Sequence, residues 1–94
     1  MSDLTYRQNP RTAGRVIDGL AFVVTPDDNK LHSLNVTGTY IWVLAETGRT
    51  VDEVAASLAK RFDVDPDRAR GDAARFCEDL RERGIFEALG EVVA

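Results

Sequence analysis

His32 and Cys77 are each the only residue of their type in this 94-residue chain. Together they could formally make a nucleophile and its base. Their settings point to something plainer. Cys77 follows Phe76 on a helical pattern and suits a small apolar filler. His32 sits between Leu31 and Ser33 on a strand pattern, where an imidazole is solvated or hydrogen-bonded. A zinc site needs about four Cys, His or carboxylate ligands at suitable spacing, and two soft ligands fall short of that. Asp63, Asp65 and Asp67 alternate as in a calcium loop, but no Gly stands at the sixth place and no Glu at the twelfth. The glycines Gly14, Gly19 and Gly38 match no phosphate-binding spacing. The expectation is a protein with no catalytic group, no cofactor and no metal. An enzyme built on Cys77 and His32 stays as a minor alternative.

A second chemistry-bearing set is Arg68, Arg70, Arg75, Arg81 and Arg83 on one helical segment, where a nucleic-acid reader would carry its contacts. Asp65, Asp67, Asp72, Glu78, Asp79 and Glu82 share that segment, six acidic residues against five basic. A salt-bridged, solvated face explains the pattern. The formal net charge of -4 and pI near 4.9 also remove the long-range attraction that drives binding to nucleic acid or anionic membrane. A single cysteine excludes an intrachain disulfide and suits a reducing compartment. Residues 1–8 hold no apolar run of a signal peptide, and no window approaches the ~18 apolar residues of a membrane span. The expected location is the cytoplasm.

The elements that position these residues follow from pattern and punctuation. A chain this long makes one domain, 1–94, able to bury roughly 60–65% of its unfolded surface. Residues 1–14, punctuated by Pro10 and Gly14, read as a mostly irregular lead, and residues 88–94 as a less ordered tail. Arg15–Ile17 is a short strand, and Asp18-Gly19 is a hairpin signal. Leu20–Thr25 is the best strand, with Leu20, Phe22 and Val24 on one face and Ala21, Val23 and Thr25 on the other. After the turn at Pro26–Asn29, a third strand runs from Lys30 to Leu34.

Asn35 caps a first helix to about Glu46, with Val36, Tyr40, Val43 and Leu44 on one face and Ile41, Trp42 and Ala45 widening it. Thr50 and Glu53 form a capping box for a second helix carrying Val51, Val54, Ala55, Leu58, Ala59 and Phe62. Asp65-Pro66 opens a third helix with an inner stripe of Ala69, Ala73, Phe76 and Leu80, and Gly84 ends it. Ile85–Glu87 and Glu91–Val93 read as a short hairpin around Gly90 or as a docked tail. The fold class is α+β: a three-stranded antiparallel sheet followed by three helices and a short C-terminal hairpin, in a winged helix-turn-helix-like arrangement.

Specific residues stand at the joints of this order. Asn9-Pro10 precedes the first strand and Asp18-Gly19 makes the hairpin. Leu34-Asn35, Thr37-Gly38 and Ile41-Trp42 mark the strand–helix junction. Gly48–Val51, Glu53-Val54 and Leu58–Phe62 bound the second helix, and Phe76–Leu80 with Gly84-Ile85 completes the pattern. The combination, over about residues 9–87, resembles the PqqD-like family. That resemblance implies a non-catalytic element that binds the leader segment of a ribosomally made precursor peptide. It implies that the leader adds as a strand beside the third strand, against the third helix, for presentation to a radical SAM enzyme, a cyclase or a protease. The residues expected to bind are Lys30, Leu31, His32, Ser33 and Leu34 on the edge, with Arg70, Ala74, Cys77 and Arg81 as the helical wall. An exposed edge strand could equally support a homodimer. A winged-helix DNA-binding module is the alternative function.

Overall fold

The computed structural model describes residues 4–90. Strands β1 (Thr5–Gln8), β2 (Ala13–Ile17), β3 (Leu20–Thr25) and β4 (Lys30–Ser33) come first. Helix α1 (Val36–Leu44) follows and runs on as a 3₁₀ turn, Ala45–Thr47. A two-residue strand β5 (Arg49–Thr50), helices α2 (Val51–Phe62) and α3 (Pro66–Glu82), and strand β6 (Phe86–Leu89) complete the chain. The strands form two separate antiparallel sheets, ordered β2-β3-β4 and β5-β1-β6.

The meander and the three helices agree with the sequence reading. The caps explain why the helices start where they do. Asn35 Oδ1 accepts from the Gly38 N–H at 2.7 Å. The Thr50 hydroxyl and the Glu53 carboxylate each accept the other's backbone N–H. Asp65 accepts from the N–H groups of Asp67 and Arg68, with Pro66 in the first turn. At the far end of α3, Gly84 takes positive φ, its N–H reaches the Arg81 carbonyl, and the Ile85 N–H reaches the Leu80 carbonyl. That Schellman closure turns the chain sharply into β6.

Two expectations are corrected, in the lead and in α1. The lead is not irregular: Thr5–Gln8 is a strand, and β2 begins at Ala13. At the other end of the chain Phe86–Leu89 docks on β1, Tyr6 opposite Ala88 and Gln8 opposite Phe86. Glu91–Val93, the other half of the expected hairpin, lies outside the described residues. In α1 the buried face is Gly38, Thr39, Ile41 and Trp42, while Val36 and Val43 are exposed. Close approach decides this. Gly14 lies so near Trp42 that a Cβ there would meet Cζ2 at 2.6 Å. Thr39 is buried because its hydroxyl accepts from the Ala21 N–H at 2.8 Å and donates to the Leu34 carbonyl.

One core joins both sheets to the helices. Ala21 and Val23 of β3, Ile41 and Trp42 of α1, Val54 and Leu58 of α2, Ala69, Ala73, Cys77 and Leu80 of α3, and Ile85 with Phe86 are all buried in it. The inner stripe of α3 includes Cys77, with Phe76 half-buried at its margin.

Candidate functional site

Among the described residues β4 is an edge strand, paired only with β3. Its register sets Ser33 opposite Phe22, His32 opposite Val23, Leu31 opposite Val24 and Lys30 opposite Thr25. The Leu34 N–H continues the same register, donating to the Ala21 carbonyl at 2.9 Å. Antiparallel bonding alternates, so Leu34, His32 and Lys30 direct their backbone groups toward β3. Leu31 and Ser33 therefore turn their N–H and C=O outward, to the open edge. An edge with such groups unpaired is a template for another strand.

The side chains of β4 divide between two faces. Lys30 and His32 share the face of Thr25 and Val23, which looks into the core. On that side the Thr25 hydroxyl donates to Asp28 at 2.5 Å and lies 3.0 Å from His32 Nε2. With its proton given to Asp28, Thr25 Oγ1 presents an acceptor to the His32 ring nitrogen. The same Thr25 hydroxyl holds the Asp28 carboxyl below its usual range. Leu31 and Ser33 share the opposite, outer face with Val24 and Phe22.

α3 and the residues after it approach the segments on either side of β4. Gly38, just beyond the strand, lies against Phe76, whose Cε1 would stand 3.7 Å from a Cβ there. Gly84 meets the Thr25 methyl, and Glu82 and Arg83 share a depression of about 230 Å³ with Thr25 and Asp28. At 100° per residue, Phe76, Asp79 and Arg83 fall on one flank of α3, the flank whose ends meet Gly38 and the Thr25–Asp28 turn. Arg83 and Asp79 pair at 3.2 Å.

The structure separates the expected binding residues into two groups. Lys30, Leu31, His32, Ser33 and Leu34 stand together on or beside the edge; Leu34 is buried and anchors its end. Arg70, Ala74, Cys77 and Arg81 belong to the other flank of α3. Arg70 donates to Asp52 of α2 at 2.6 Å, and Arg81 donates to Glu78, which also accepts from Tyr6 of β1 at 3.0 Å. Ala74 is exposed and Cys77 fully buried. Helix periodicity finds the inner stripe but not which neighbour lies on each flank. Phe76, Asp79 and Arg83, on the flank that meets Gly38 and the Thr25–Asp28 turn, are not among the expected binding residues. Their i, i+3, i+7 spacing was the available signal.

Burial pushes the Cys77 thiol up to about 11, with the Glu78 charge adding, so it is protonated at neutral pH. His32 is engaged with Thr25. Among the described residues no three His, Cys, Asp or Glu side chains cluster as metal ligands would. No helix of the described residues is long and apolar enough to cross a membrane. The four arginines of α3 and Arg83 at its C-cap each have a carboxylate within 3.8 Å, which leaves no strip of uncompensated positive charge on this helix for a phosphate backbone.

The fold is seen in solved proteins. TbiB1, in complex with the TbiA(beta) leader peptide, superposes with a TM-score of 0.79 at 20% identity, over 86% of this chain and 94% of its own. Lasso peptide synthetase B1, complexed with the leader peptide, gives 0.75 at 24% identity, over 89% and 96%. No curated protein matches the sequence. Residues 21–85 match the family of Coenzyme PQQ synthesis protein D (PqqD). The chain belongs to that family.

Proposed function

We propose that this protein is a non-catalytic recognition domain that captures the leader segment of a ribosomally synthesised precursor peptide by strand addition at β4. The observation that carries the reading is the outward direction of the Leu31 and Ser33 backbone groups on the β4 edge. Main-chain pairing supplies affinity, and alternate side chains supply register. Both solved proteins of like fold hold a leader peptide, which supports the choice of ligand. The captured segment would be presented to a modifying or processing enzyme, of the radical SAM, cyclase or protease kind, in the cytoplasm where such peptides are made.

The test is an NMR titration of labelled protein with leader segments of short peptides encoded beside its gene. Shifts should concentrate in β4 and the Phe76–Arg83 flank. Ser33→Pro removes an N–H aimed at the peptide and not at β3, so it should weaken binding about tenfold or more while the helices persist. Unchanged affinity in a folded Ser33→Pro protein would count against strand addition.

A further inference from the structure

Among the described residues, nothing covers the apolar side chains on the outer face of the β2-β3-β4 sheet. Ile17, Val24 and Leu31 stand 47%, 40% and 68% exposed on it, with Phe22 half-buried between them. They line an open concavity of about 540 Å³ together with Ala13 and Arg15. Soluble monomers seldom leave a contiguous apolar surface of this kind without a use for it.

We infer that this face is a second recognition surface for the captured peptide, reading apolar side chains at alternate positions of the leader. The inference rests on strand addition at β4. An antiparallel strand pairing with the outward groups of Leu31 and Ser33 makes its hydrogen-bonded pairs with those two residues. Directly opposed residues point to the same face, so the leader residues opposite Leu31 and Ser33 project outward. The residue between them, opposite His32, projects inward toward α3. The outward pair thus extends the apolar row of Ile17, Phe22, Val24 and Leu31 by one strand, and each apolar side chain there covers Leu31 and is covered by it. The added strand and the concavity share Leu31, so the face is continuous with the proposed binding edge.

The size of the face favours a peptide over a second copy. Three strands about 4.8 Å apart and about five residues long offer on the order of 240 Å² in projection, against about 800 Å² per partner in a stable protein interface. A few side chains of one segment suffice to cover it.

The experiment is selection of a displayed random-peptide library on the wild-type protein, followed by affinity measurement on Leu31→Lys, Val24→Lys and Ser33→Pro. Leu31 and Val24 lie outside the core, so the lysines leave folding intact, checked by circular dichroism. Selected peptides should carry large apolar residues at alternate positions. Leu31→Lys should weaken them roughly tenfold, and selection on Leu31→Lys should replace one of those apolar residues by Asp or Glu. Peptides without the alternation, or affinities untouched by both lysines, would overturn the inference while leaving edge capture standing. Self-association of the wild type that Leu31→Lys abolishes would assign the face to a second copy and overturn it too. Failure to select any peptide, or binding that survives Ser33→Pro, would overturn edge capture and the inference together.

Discussion

Glu78 joins α3 to β1. Its carboxylate accepts from the Arg81 guanidinium and from the Tyr6 hydroxyl. These two donors, Arg81 first, hold its carboxyl below the ordinary 4.5, while burial and the same contact raise the Tyr6 phenol. A carboxyl depressed in the folded state stabilises the fold above its unfolded pKa, and the contribution is lost as pH falls through the lowered folded value. Arg81→Met should therefore raise the Glu78 pKa toward 4.5, read by side-chain carboxyl NMR. An unmoved titration would show that Arg81 is not the cause. Gly14 presents a steric case instead. A methyl there would sit 2.6 Å from Trp42 Cζ2 and 3.1 Å from Val23 Cγ2. Gly14→Ala should cost about 1–3 kcal/mol by overpacking. Urea unfolding followed by the fluorescence of Trp42, the only tryptophan, measures it directly.

Among the elements, the helices were legible because their ends are written in single residues. Asn35, Thr50 with Glu53, and Asp65 with Pro66 all cap as their types require. Thr50→Ala should lower stability by about 1 kcal/mol, read by thermal unfolding. β3 was legible from its alternation, and Asp18-Gly19 from its turn chemistry. β1 was not. Thr5–Gln8 buries only Tyr6, so it shows no alternating apolar run, and its partners Phe86–Leu89 lie at the other end of the sequence. α1 misled because Val36 and Val43 are apolar yet exposed, while Gly38 and Thr39 are buried by close approach and a hydroxyl bond. Of the candidate site, the β4 strand follows from its pattern, while a helix pattern carries no label for which neighbour lies on each flank. The β4 ladder makes its own prediction. In residue-resolved hydrogen exchange the Leu34 and His32 amides should be protected and those of Leu31 and Ser33 fast, and peptide should protect the fast pair. Protection of Leu31 and Ser33 in the free protein would mean that the edge is already covered.

At the scale of the molecule, the two sheets share no backbone pairing, yet they stand on one core. Ala21 and Val23 bring the β2-β3-β4 sheet into it; Tyr6 and Phe86 bring the other, their rings 6.4 Å apart. The core helices touch both, since Ile85 and Phe86 follow directly from α3 while Thr39 of α1 binds β3. Damage to one sheet should then be felt in the other. Tyr6→Ala removes a buried ring and should cost about 3 kcal/mol, a large share of the 5–15 kcal/mol typical of a domain. Tyr6→Phe keeps the ring and removes only the hydroxyl to Glu78, so its cost should be much smaller. In a single cooperative unit, the slowest amides of β3 and α3 lose the same free energy of protection in Tyr6→Ala as those of β6. Loss confined to β1, β5 and β6 would make that sheet a separable flap. The β4 edge would then be carried by β2, β3 and the helices alone, and peptide capture would survive the flap's opening.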